Sequence, residues 1–189
     1  DMASAYKDVE RIEKMIEPFL GGDDPVFGKL YPGNLEDFFD ADKVKSIQCS
    51  EGALNIFYGP GAALSGQNGT IVYIDIPKNE VQFRSRAGQV VNLGNVMVED
   101  KKQQYKRMYF IDWQVLNKHK QQLLKNIDFI VDGQFGNNIT WCTGDTLREG
   151  LQEMTSHAFR PRPWFSPGIW GGDWMKERFG ELAQDVPTY

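Results

Sequence analysis

Apolar residues in the first part of the chain recur every three or four positions, at Tyr6, Val9, Ile12, Ile16 and Phe19. That spacing places one apolar stripe along one face of a helix, and Pro18 falls near its end. Turn chemistry follows at Gly21-Gly22-Asp23-Asp24-Pro25, with a second breaker at Tyr31-Pro32-Gly33. Asn34 then stands at an N-cap position three residues before Asp37, and Leu35, Phe38, Phe39 and Val44 give a short second helix its buried side. Residues 1–50 are therefore expected to form a helical hairpin.

From Ala53 the pattern shortens to runs of β-formers: Leu54–Tyr58, Ile71–Ile76, Met108–Trp113 and Phe129–Asp132. Three of the four are apolar enough to be buried on both faces, which suits parallel strands. Helical patterns lie between and after them. One opens at Pro77, one is striped by Leu116, Leu123, Leu124 and Ile127, and one starts near Thr143-Gly144-Asp145 and carries Leu147, Leu151 and Met154. Strands alternating with helices predict an α/β domain over residues 51–165, a three-layer and mostly parallel sheet with flanking helices. The proline-spaced Arg160-Pro161-Arg162-Pro163-Trp164-Phe165 reads as extended, and residues 166–189 as a C-terminal arm.

Composition narrows the class. A chain of 189 residues suits one domain with an appended arm, and five tryptophans with 13% aromatic residues exclude a disordered linker. The net charge of −5 argues against a nucleic-acid or anionic-membrane partner. Cys49 and Cys142 stand far apart and form no Cys-x-x-Cys pair, so neither a disulfide framework nor a structural zinc site is expected. No apolar run approaches the roughly 18 residues that span a bilayer, and no basic and apolar leader opens the chain, so a cytoplasmic location is expected. The first residue is not methionine and Val186–Tyr189 carries no terminating pattern, so the chain is expected to be part of a longer protein.

Several groups have candidate chemistry. Gly59-Pro60-Gly61 follows an expected strand, where it is either an ordinary tight turn or a cradle of N–H groups for a phosphate. It lacks the Gly-Lys-Ser/Thr that a nucleotide-binding P-loop requires. Asp75 and Asp112 fall at expected strand ends, where they either cap helices or hold a ligand. Lys118 and the alternating Arg160 and Arg162 could pair with that ligand's phosphate while Trp164 stacks on a sugar; the competing reading makes the Arg160–Trp164 segment an interdomain contact. His119 and His157 have no metal-ligand spacing with the cysteines, and no metal is expected on this chain.

The segment Ile169-Trp170-Gly171-Gly172, with Met175-Lys176 and Phe179-Gly180, resembles the opening of class I mannose-6-phosphate isomerases, zinc-dependent cupin proteins. Upstream, Phe57–Leu64, Asn92-Leu93-Gly94-Asn95, Tyr105-Lys106-Arg107, Phe110-Ile111-Asp112-Trp113 and Phe165-x-Pro167-Gly168 resemble the N-terminal extension of a long bacterial form. The resemblance implies a parent protein that converts mannose 6-phosphate to fructose 6-phosphate. Its zinc and catalytic residues belong to a downstream cupin domain with a Gln-x-His-Pro motif that this chain lacks, so no zinc ligand and no catalytic residue is carried over. Trp164, Trp170, Gly171, Gly172 and Trp174 would contact that domain, the implied partner. The order of strands and helices resembles a degenerate nucleoside-kinase-like P-loop fold. The expectation is a non-catalytic interaction or regulatory domain; the alternative is a divergent kinase-like domain that binds a phosphorylated small molecule.

Overall fold

The computed structural model describes residues 1–22, 24, 27–158 and 180–181. Two compact units divide the chain, Asp1–Arg148 and Glu149–Tyr189. Helix α1 spans Val9–Leu20, with Pro18 inside its last turn and Gly21 ending it at φ 66°. Its Ile12 and Ile16 are buried, as the apolar stripe requires. Asn34 opens a single 3-10 turn, Leu35–Phe38, through a capping box in which the Asn34 N–H donates to Asp37 Oδ2 at 2.7 Å. The Asp40 carboxylate accepts the N–H groups of Asp42 and Lys43 and starts the short α2, Ala41–Lys45. The N-terminal helical expectation holds, with a 3-10 turn and five residues where one second helix was read.

Strand β1 is Val72–Asp75, α3 is Lys78–Arg86 with Pro77 as its N-cap, and α4 is Lys101–Arg107, capped by the Asp100 side chain. A π-helical segment, Met108–Asp112, joins α4 directly to α5, Trp113–Leu123. Strands β2, Phe129–Asp132, and β3, Thr140–Thr143, precede α6, Gly144–Ser156.

Among the described residues the chain is mixed α and β, with a small sheet of three strands in the order β1-β2-β3. Strand β1 pairs with β2 in parallel and β2 with β3 antiparallel, so the sheet is mixed where a mostly parallel one was expected. The short Gly133–Ile139 connection forces the antiparallel pairing, because a parallel crossover needs about a dozen residues or more. Two expected strands are absent. Met108–Trp113 is helical: Gln104, Arg107, Met108, Ile111, Val115 and His119 are buried at helical spacing, and half of them are polar, which hides the period from a count of apolar residues. Leu54–Tyr58 is irregular and carries Leu54 and Ile56 in solvent.

The hydrophobic core is built by the helical segments. Met2, Ile12, Ile16, Leu35, Phe38 and Ile111 are among its members, and none of its members lies in a strand. Residues 1–39 thus share one core with the central helices instead of forming a separate layer.

Candidate functional site

The described residues among those read as a possible phosphate site occupy separate places. Gly59-Pro60-Gly61 makes a tight turn against the N-terminus, where the Met2 N–H donates to the Tyr58 carbonyl at 3.0 Å and the Ala62 N–H returns to Gly59 at 3.1 Å. Gly61 has φ 82°, and a Cβ there would come within 2.6 Å of the Phe39 ring, so glycine is required by the backbone and by packing. The residues before the turn form no strand, so it does not sit at a sheet edge. Lys118 donates to the backbone carbonyls of Pro32 and of Gly33, the latter at 2.9 Å, and so pins the loop before the 3-10 turn.

Asp112 is not at a strand end. It closes the π-helical segment, 4% exposed, with Oδ2 accepting from Asn92 Nδ2 at 2.6 Å and Arg107 Nε 3.9 Å from Oδ1. Burial raises its carboxyl to about 6, against the lowering pull of Arg107 and Asn92. The same surroundings push the Tyr6 phenol up, by burial first and the Asp112 charge second. His119 is buried on α5, and burial lowers its imidazole. Arg160, Arg162, Trp164, Trp170, Gly171, Gly172 and Trp174 lie outside the described residues.

Asp75 does stand at the carboxyl end of β1. There an open cleft of about 440 Å³ is lined by Asp75, Pro77, Asp132, Thr140, Trp141 and Cys142. Asp75 and Asp132 are register partners in the parallel pair, the edge at which α/β sheets usually gather ligand groups. Both carboxylates are engaged: Lys120 Nζ lies 2.7 Å from Asp75 Oδ2, and Asp132 Oδ1 accepts the Gln134 N–H at 2.9 Å. Lys120 also sits 5.6 Å over the Tyr73 ring, whose phenol burial and the Asp75 charge push up to about 12. Among the described residues no group of three or more His, Cys, Asp or Glu side chains is arranged to hold a metal ion, and no helix is long and apolar enough to cross a membrane.

The side of the sheet that carries Val72, Ile74 and Trp141, the last of which also lines the cleft, was not singled out from the sequence. Register places Val72, Phe129 and Thr143 in one row and Ile74, Val131 and Trp141 in the next, and the pleat turns both rows to the same side. Val72 is 55% exposed, Ile74 62% and Trp141 63%. Trp141 stands edge-on to Phe129, ring centroids 5.6 Å apart. Val72–Asp75 shows no polar–apolar alternation in the sequence, and apolar runs such as Ile71–Ile76 suit burial on both faces, so nothing local marks this side as exposed. Without β3 in the reading, Trp141 had no strand to belong to.

Residues 1–156 match a family described as a domain of unknown function, DUF8485, and the chain belongs to that family. No curated protein and no solved structure matches the chain.

Proposed function

We propose that this member of the family is a non-catalytic interaction module that docks a partner on the uncovered face of its sheet. The observation that carries this reading is that Val72 and Ile74 on β1 and Trp141 on β3 share one side of the sheet, each more than half exposed. A large aromatic ring beside aliphatic side chains is the composition of interface anchors. The polar groups that a small-molecule enzyme would need are instead spent on the fold: Lys118 on a loop, Asp112 on Arg107 and Asn92, and Gly59–Gly61 on the N-terminus. That dispersal weighs against the alternative of a divergent kinase-like domain binding a phosphorylated small molecule.

The partner we assign is the cupin isomerase domain implied by the Trp170-Gly171-Gly172 segment, which would supply the zinc and the conversion of mannose 6-phosphate. Isothermal titration of the chain with a separately expressed class I mannose-6-phosphate isomerase domain tests this. Saturable binding that Ile74→Lys weakens at least about tenfold, a loss of about 1.4 kcal/mol, is the expected result. Equal binding by the two forms removes the sheet face from the interface, and no binding by either removes the partner.

A further inference from the structure

The polar groups buried at the centre of the fold belong neither to the sheet face nor to the cleft. Arg107, at the end of α4, is 2% exposed, and carboxylates from three segments share it. Glu13 of α1 lies 2.5 Å from its Nη1, Glu99 of the loop before α4 lies 3.5 Å from the same nitrogen, and Asp112 lies 3.9 Å from its Nε. Its Nη2 donates to the Leu93 carbonyl at 2.7 Å. One guanidinium cannot neutralise three carboxylates, and Asp112 is the one of the three that is buried, with its side chain 5% exposed against 43% for Glu13 and 34% for Glu99.

Asn92 donates from Nδ2 to Asp112 Oδ2 at 2.6 Å and to the Gln104 carbonyl at 3.1 Å. Three atoms of this cluster are buried with no hydrogen-bond partner: Arg107 Nε, Asp112 Oδ1 and Asn92 Oδ1. A buried polar atom without a partner is costly, so a group able to satisfy two of them has a preferred state. Asp112 Oδ1 is that group, and its protonation decides which neighbour it serves. As a carboxylate oxygen it accepts from Arg107 Nε once the 3.9 Å gap closes. As a hydroxyl it donates to Asn92 Oδ1 and completes a two-bond acid–amide ring, the other bond of which is already made through Oδ2.

We propose that Asp112 is a proton switch that sets how firmly α1 is held to the central helix. Ionised, it draws Arg107 toward itself and away from Glu13. Protonated, it pairs with Asn92 and leaves Arg107 to Glu13 and Glu99, which ties α1 to α4. The other groups that face it are the Tyr6 phenol of the N-terminal segment, the Leu93 backbone N–H, which favours the ionised form, and Glu99, whose negative charge adds to the rise caused by burial. The native carboxyl binds its proton more firmly than the ordinary value of 3.8, with a midpoint near 6. The stabilisation is therefore fully present below pH 3.8 and is lost as pH rises through about 6.

Thermal unfolding of the chain between pH 5 and 7.5, beside Asp112→Asn, tests the switch. Asparagine keeps the shape of the neutral acid and its donor to Asn92 but cannot ionise. The wild-type Tm is expected to fall relative to that of the variant as pH rises through about 6, and the amide protection factors of Ile12 and Ile16 to fall with it. Parallel profiles for the two proteins, or protection in α1 that ignores pH, overturn the proposal. Should Asp112→Asn not fold, the carboxyl ¹³C shift of Asp112 in the wild-type protein decides. A midpoint between pH 5 and 7 that coincides with a change in the amide protection of Ile12 and Ile16 upholds the switch, and a titration complete by pH 4, or protection that ignores pH, ends it.

Discussion

In the helical part of this molecule Ile16 and Phe38 are wholly buried, whereas in the sheet Val72, Ile74 and Trp141 keep more than half of their surface in solvent. The two parts hold together by different means. The helical part closes on itself: α1, the N-terminal turns and the joined α4–α5 segment bury their apolar stripes against one another. The sheet is held by polar pins. Asp128 Oδ2 accepts the Ile71 N–H at 2.8 Å and fixes the start of β1, Lys120 pairs with Asp75, and Arg84 donates to the carbonyls of Gly133 and Gln134 beyond β2. Arg148 does the same for the carbonyls of Leu124 and Ile127. Arg84, Lys118 and Arg148 are committed to backbone oxygens, whereas apolar residues of the sheet whose pattern suits burial on both faces stand exposed.

The contrast is broken most directly at Phe38. Its ring is fully buried and packs edge-on to Tyr31, with centroids 6.0 Å apart. Phe38→Ala is expected to lower the free energy of unfolding by about 3–5 kcal/mol in urea titrations. A loss under about 1 kcal/mol would mean that the helical core is not where stability resides.

A smaller effect is expected where the sheet meets α6. Gly144 donates its N–H to the Asp128 carbonyl at 2.7 Å, and a Cβ there would fall 1.7 Å from the Ile127 carbonyl oxygen. The obstacle is backbone entering β2 and cannot swing aside, so Gly144→Ala must displace the strand. Alanine's gain in helix propensity, up to about 1 kcal/mol, is outweighed by overpacking of about 1–3 kcal/mol. Urea titration should show a net loss; a gain in stability would show that the strand yields freely.

The sequence carried part of this contrast. Helix α1 was legible because Ile12 and Ile16 are apolar and one turn apart, and a helical start at Asn34 because Asn34 and Asp37 form a capping box, although a 3-10 turn and α2 stand where one helix was expected. Strands β1 and β2 were legible as β-former runs. The α4–α5 segment was not, because its buried face includes Gln104, Arg107, Asp112 and His119, and the first three offset their desolvation through partners that only the folded chain brings together. For the same reason Asp112 was expected at a strand end, as a helix cap or a ligand group, whereas it closes the π-helical segment. Of the candidate site, Asp75 was placed correctly at the edge of β1, whereas the exposed sheet face depends on register with β3, which local pattern does not encode.

The smallest effect is expected on the sheet face itself, and it sharpens the contrast most. Ile74 is 62% exposed in β1, the strand at one end of the three-strand order, and lysine is well tolerated on edge strands. Ile74→Lys should therefore change the unfolding free energy by less than about 0.5 kcal/mol, the usual range for a surface substitution. A residue that matters only for stability would show the pattern of Phe38: a large loss on unfolding and no separate effect on association. A near-zero stability change together with weakened titration binding is the signature of a side chain retained for contact. If Ile74→Lys instead costs more than about 1 kcal/mol, the face is already covered within the chain, and the two parts of the molecule are held by the same force after all.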